Sequence, residues 1–239
     1  METKRRIKIW HDSNASCPFE DWDCEPDLMY EGGRHNHKDF SDGNIARAIC
    51  DKATTSTIIR HQNRLADILE INLEYFADHS KDEKVDGFLV EMRIANLEQL
   101  AQLCELFKIP YSQHTSNGYS QGDWADVLIV LTDDFFEKSG CNRKHSEEIL
   151  KGTAKLFDQW AWGDVYGFTI EECTEYVKIP RDKFNNGDFD DPETEEIWES
   201  VDSCGGFFGD DWMTNGMTDQ IEDELHEQLK NYDYKDIKY

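Results

Sequence analysis

The chain has 239 residues, with 51 acidic against 25 basic side chains and a formal net charge of −26. That balance argues against direct binding of nucleic acid, because a phosphate backbone wants a Lys/Arg patch and the only short basic run is Lys4-Arg5-Arg6. A hydrophobic fraction of 38% with 12% aromatics argues against a disordered chain.

In chain order, Ile7-Lys8-Ile9-Trp10 alternates apolar and polar and predicts a first strand. His11 to Gly43 is broken by Pro18, Pro26 and Gly32-Gly33 and reads as loop-rich. Residues 45–75 carry apolar side chains at the spacing of one or two amphipathic helices, and Ala77 to Lys84 reads as an exposed connection. Phe88 to Ile94 predicts a strand. Asn96 then serves as N-cap of a helix carrying Leu97, Leu100, Leu103, Leu106 and Phe107, which Pro110 ends. Ser112 to Gly122 reads as a polar loop, and Val127 to Leu131 gives the strongest buried-strand signal. Lys144 to Trp162 predicts a helix stopped by Gly163, followed by a strand over Val165–Ile170. Lys178 to Glu196 reads as an acidic loop, Trp198 to Asp202 as a strand paired with the previous one, and Asp219 to Leu229 as an acidic helix burying Ile221, Leu225 and Leu229. The sum is an α+β fold, a mixed or mainly antiparallel sheet with helices packed on one side. We expect one domain over 1–239, with a helical insertion near 45–80 and an acidic loop insertion near 178–197.

Five segments bear a resemblance to a known family: Asp21-Trp22-Asp23, Gly122-Asp123-Trp124-Ala125-Asp126-Val127, Phe157-Asp158-Gln159-Trp160, Asp164-Val165-Tyr166-Gly167-Phe168, and Val201-Asp202-Ser203-Cys204-Gly205-Gly206-Phe207-Phe208-Gly209. In this order they resemble a family of uncharacterised accessory proteins of tailed phages and bacterial mobile elements. The last two segments are the specific ones. The central block lacks the family's Ser-Gly-Gln spacing, and Gly205 stands where members often carry Trp. The resemblance implies a small phage accessory protein acting in the host cytoplasm; it brings no chemistry with it.

The residues that could carry chemistry also have plain structural readings. Cys17, Cys24, His35 and His37 fit no closed zinc signature. Asn186 to Asp191 offers oxygen ligands but not the calcium-loop pattern. Cys204 is a candidate nucleophile with His114 or His145 as base, yet neighbouring carboxylates raise a thiol's pKa and favour a packing role. The seven cysteines read as reduced thiols. Neither a cofactor nor a metal is expected, and no enzymatic activity.

Carboxylates two apart on an extended chain are about 6.6 Å from one another, near the spacing of successive phosphates on one strand. The expected function is therefore a phage-type, non-enzymatic inhibitor of a bacterial defence system, of anti-CRISPR or anti-restriction kind. A DNA-mimic surface made of Asp188, Asp190, Asp191, Glu193, Glu195, Glu196, Asp202, Asp210 and Asp211 would occupy a basic nucleic-acid-binding groove on the partner. The partner is then a host nucleic-acid-binding protein or defence complex, with no direct nucleic acid and no membrane. The aromatics Trp160, Trp162, Tyr166, Phe168, Phe207, Phe208 and Trp212 read by default as core, and the alternative function is an adaptor that binds through an exposed subset of them, with charge serving solubility.

Overall fold

The computed structural model describes residues 4–21, 25–31, 38–39, 44–70, 95–119, 123–179, 181–186 and 193–237. Its strands are β1 (Arg5–His11), β2 (Asp27–Glu31), β3 (Lys38–Asp39), β4 (Tyr111–Tyr119), β5 (Asp123–Val130), β6 (Val165–Lys178) and β7 (Glu193–Phe208). Its α-helices, among the described residues, are α1 (Pro18–Asp21), α2 (Asn44–Lys52), α3 (Thr55–Leu69), α4 (Leu97–Phe107), α5 (Asp133–Ser139), α6 (Ser146–Trp162), α7 (Arg181–Asn186) and α8 (His226–Lys230). The fold is α+β, and every described strand pairing is antiparallel. The expected strand over Phe88–Ile94 and the connection Ala77–Lys84 lie outside the described residues. No helix among the described residues is long and apolar enough to cross a membrane.

Where one domain was expected, the chain gathers into two compact units, Met1–Ala15 with Gly163–Tyr239, and Ser16–Trp162. There are accordingly two sheets, ordered β1-β6-β7 and β3-β2-β5-β4.

In the unit Ser16–Trp162, helices cover both faces of the sheet, where one covered side was expected. Leu128 and Val130 of β5, with Met29 of β2, pack with Ile45, Ile49, Ile58, Leu65, Leu100 and Leu103 of α2, α3 and α4. Val127 and Ile129, with Leu28 and Tyr30, pack instead with Phe135, Phe136, Leu150 and Phe157 of α5 and α6. A strand sandwiched in this way must be apolar at every position rather than every second one, which is why 127–131 reads as an unbroken run. Helix ends follow local chemistry. The Asn96 side chain accepts from Gln99 N and the Gln99 side chain accepts from Asn96 N, each at 2.9 Å, a reciprocal cap on α4. That helix ends at Lys108, in the left-handed region at φ 57°, two residues before the proline expected to stop it. Gly163, at φ 71°, follows the last residue of α6, as expected.

Five elements in this unit differ from the sequence reading. The loop-rich stretch contains α1, β2 and β3, the polar loop after Pro110 is β4, and α5 was not foreseen at all. The β4 residues Ser112 to Thr115 pair with Ile129 to Asp126 through the backbone, so the strand needs no apolar side chains of its own.

In the other unit, β6 is the central strand. Ile7, Ile9, Tyr166, Phe168, Ile170 and Phe207 point to one face, where the C-terminal segment covers them with Trp212, Met217, Ile221, Leu225, Leu229 and Ile237. The expected acidic helix over Asp219–Leu229 is broken into 3₁₀ turns at Met217–Gln220 and Asp223–Leu225 and the short α8, although its three expected core residues are buried. The expected acidic loop is largely not a loop. β6 and β7 pair out to Lys178 and Glu193, and α7 lies in the connection between them. β1 matches β6 only as far as Glu172, so beyond that point the ladder is a two-stranded ribbon.

Candidate functional site

The two specific sequence segments, Asp164–Phe168 and Val201–Gly209, come together as a structural device around Trp10. The Cβ of an alanine at 167 would lie 2.3 Å from Trp10 Cζ2, and one at 205 would lie 3.0 Å from Trp10 Cη2 and 2.6 Å from Asp12 Oδ2. The two glycines thus make room for the indole, whose Nε1–H donates to Thr169 Oγ1 at 3.1 Å. Asp12 Oδ2 accepts from Gly206 N at 3.0 Å, and Asp12 N donates to Val165 O at 2.8 Å. Opposite Gly167 the ladder carries two residues, Gly205 and Gly206, and Gly206 takes φ 82° to make that bulge. Gly206 is therefore required by its backbone conformation, and Gly205 by the room it leaves for Trp10 and Asp12.

The basic run at the start of the chain is consumed by the sheet it belongs to. Lys4 Nζ lies 2.8 Å from both Glu175 and Glu196. Arg5 pairs with Glu172 at 2.8 Å and also with Glu222, while Arg6 and Lys8 both reach Glu171, at 2.6 and 2.7 Å. Arg6 also stacks on Trp198, 4.0 Å from the ring centroid. The hydrogen bonds that Lys4 donates to Glu175 and Glu196 raise its ammonium far above its ordinary value. For Glu171, whose side chain is only 14% exposed, burial pushes the carboxyl up, but the bonds from Lys8 and Arg6 outweigh it and hold the group below the usual range.

The nine carboxylates singled out in the sequence divide accordingly. Asp188, Asp190 and Asp191 lie outside the described residues. Glu195 and Glu196 are engaged by Lys178 and Lys4, at 2.5 and 2.8 Å. Asp211 builds a turn, its Oδ1 accepting from Met213 N at 3.2 Å. Glu193, Asp202 and Asp210 are exposed and form no ion pair among the described residues, and Glu199 behaves in the same way. The unit holding all of them carries 24 acidic and 10 basic side chains, against 27 and 15 in the other, so the negative excess is divided between the two.

The aromatic cluster is mainly core. Tyr166, Phe168, Phe207 and Trp212 are buried, and Trp212 meets Tyr166 edge-on at 4.8 Å between ring centroids. Trp162 is the exposed member at 55%, its indole N–H donating to Ser116 Oγ at 3.2 Å. A contact surface made of the whole set is therefore not available.

Cys204 is half-buried against the core of its unit, and the two histidines considered as bases belong to the other unit. His114 Nε2 is 2.9 Å from both oxygens of Asp158, and His145 Nδ1 is 2.9 Å from Glu148. His114 lines an open depression of about 480 Å³ with Thr115, Asp126, Glu31 and Glu98. Cys17 is buried beside Phe19, while Cys24, His35 and His37 lie outside the described residues. Among the described residues no group of three His, Cys, Asp or Glu side chains is arranged to hold a metal ion.

Compared with known proteins, the chain matches no family model, no curated protein and no solved structure. The fold and site define an acidic α+β protein with a carboxylate-lined β-ribbon.

Proposed function

We propose that this chain is a non-enzymatic inhibitor that offers carboxylates to a basic, nucleic-acid-binding groove of a host defence protein, as the phage-type resemblance implies. The observation that carries the reading is the β7 edge of the sheet. Glu193, Glu199 and Asp202 stand exposed there without ion pairs among the described residues, and Asp210 and Asp211 follow directly. Such an array steers association with a Lys/Arg surface and loses strength as salt screens it. The competing account is that charges on an edge strand prevent sheet-to-sheet aggregation. Lys4 and three cations of β1 already neutralise Glu171, Glu172, Glu175 and Glu196, so the unpaired set is what a partner would meet.

The test is capture of a target from host lysate at about 0.1 M and about 1 M salt, between which the screening length falls from about 10 Å to about 3 Å. Capture should fall at high salt and disappear when Glu193, Glu199, Asp202 and Asp210 are all replaced by Lys. Capture that survives both changes sinks the mimicry and favours an uncharged contact surface.

A further inference from the structure

Strand β7 closes one side of its sheet, and among the described residues no strand pairs with its outer edge. Which backbone groups face outward follows from the register. Cys173 N donates to Lys4 O and Asp12 N to Val165 O, so the odd-numbered residues of β6 turn their N–H and C=O toward β1. The even-numbered ones turn toward β7, as Asp164 O does in accepting from Gly209 N. Glu172, Thr174, Tyr176 and Lys178 thus bond across the ladder to Glu199, Ile197, Glu195 and Glu193. Thr194, Glu196, Trp198 and Ser200 direct their backbone groups away from β6, a row of donors and acceptors about 20 Å long.

The side chains along that edge restrict what can join it. Glu193, Glu195, Ile197 and Glu199 share one face of β7, and Ile197 is 39% exposed between its acidic neighbours. A second copy of β7 would set carboxylate against carboxylate, which like-charge repulsion opposes. A strand that alternates cations with apolar residues meets the opposite condition. The far side of the same sheet already holds one: β1, Arg5-Arg6-Ile7-Lys8-Ile9, pairs antiparallel with β6, its cations engaging Glu171 and Glu172. Lys4 carries the pattern on to Glu196 of β7 itself.

We propose that the outer edge of β7 docks an extended basic segment of a partner protein by strand addition, with main-chain bonds to the outward groups of Thr194, Glu196, Trp198 and Ser200 and Lys/Arg side chains on Glu193, Glu199 and Asp202. The proposal rests on the charge reading of β7 for the sign of the partner and adds the backbone pairing to it. The same acidic side chains turn away copies of this chain and admit a strand of opposite charge.

Calorimetric titration of the full chain with a capped synthetic peptide of residues 4–10, Lys-Arg-Arg-Ile-Lys-Ile-Trp, tests it, with hexalysine as the comparison. The peptide should bind saturably below about 1 mM, and more tightly than hexalysine although hexalysine carries more charge. N-methylation of the peptide at Arg6 and Lys8, or at Ile7 and Ile9, blocks one of its two edges at a time, and one of these should weaken binding about 10-fold or more. Ser200→Pro removes an outward N–H while sparing the bonds to β6, and should weaken binding to a similar degree. Val177→Pro, whose N–H faces outward on the opposite side of the ribbon, should not. Amide exchange at Thr194, Glu196, Trp198 and Ser200 should slow when the peptide is bound, which locates the contact without any substitution. Binding matched by hexalysine, or unaffected by either methylation, overturns strand addition and leaves the charge reading standing. Unchanged exchange in β7 overturns the site, as does self-association of the chain that Ser200→Pro abolishes in sedimentation runs. No binding of either basic peptide overturns both readings, whereas peptide binding without capture of a lysate target overturns the inhibitor reading alone.

Discussion

Replacing Gly167 with alanine tests the account of the two glycine-bearing segments most directly. The added Cβ would lie 2.3 Å from Cζ2, 2.5 Å from Cη2 and 2.6 Å from Cε2 of Trp10, so the indole must retreat by about 1 Å to reach ordinary van der Waals contact. It cannot do so freely, because its N–H is bonded to Thr169. Overpacking costs about 1–3 kcal/mol, and loss of that bond costs about another 1 kcal/mol. The smaller unfolded-state entropy of alanine returns about 0.4–1 kcal/mol, leaving a net loss of about 1–3.6 kcal/mol. For a chain of this size that corresponds to a fall in melting temperature of about 2–14 °C. With two compact units the unfolding need not be a single step, so amide exchange in β1 and β6 should accompany the urea melts. Exchange in these strands should accelerate while α4 is unaffected. Gly152→Ala is the control: its Cβ meets nothing within 4 Å inside α6, and it should stabilise by up to about 1 kcal/mol. A Gly167→Ala protein within about 0.5 kcal/mol of the parent would refute the indole-packing argument.

Other outcomes follow from the same structure. Glu171 has its carboxyl held below its ordinary value of about 4.3 in the folded chain, so its contribution to stability is complete above that pH and is lost as pH falls through the folded value. Urea melts of Glu171→Gln should accordingly show less acid destabilisation below about pH 4 than the parent, and parallel profiles would remove the argument. Burial pushes the Cys104 thiol up to about 12, and burial together with Asp51 pushes Cys50 up to about 11, whereas Cys141 is exposed. Iodoacetamide at pH 8, followed by mass spectrometry, should label Cys141 first and leave Cys104 unmodified until the chain unfolds. Asn96→Ala should cost about 1 kcal/mol by leaving the first turn of α4 without its reciprocal cap, as measured by denaturant melts; Asn96→Ser should recover most of that loss.

The amino-acid sequence by itself determined those elements whose signals are local. Strand β1, the helices over 44–69, α4 with its Asn96 cap, α6 with its Gly163 stop and the pairing of β6 with β7 all follow from periodicity and capping within a few residues. So did the α+β class. Strand β4 was hidden because its order comes from backbone bonds to β5 and its polar side chains carry no apolar alternation. The length of the β6–β7 ribbon was hidden because charged residues, read as loop, are placed on it by register and by cations far away in the chain.

Only the tertiary structure decided which charges are free. Lys4 meets Glu175 and Glu196 across 171 and 192 residues, so the densest acidic stretch is partly neutralised by the one basic run, a match invisible to any window of sequence. The converse holds in the cleft of about 400 Å³ between α2, the end of α4 and the start of α5, where Arg47, Lys108 and Arg143, scattered along the chain, come to line one opening together with Asp27, Asp51, Asp133 and Asp134. Charge composition is additive and can be counted residue by residue, but an electrostatic field depends on distances, and folding sets those.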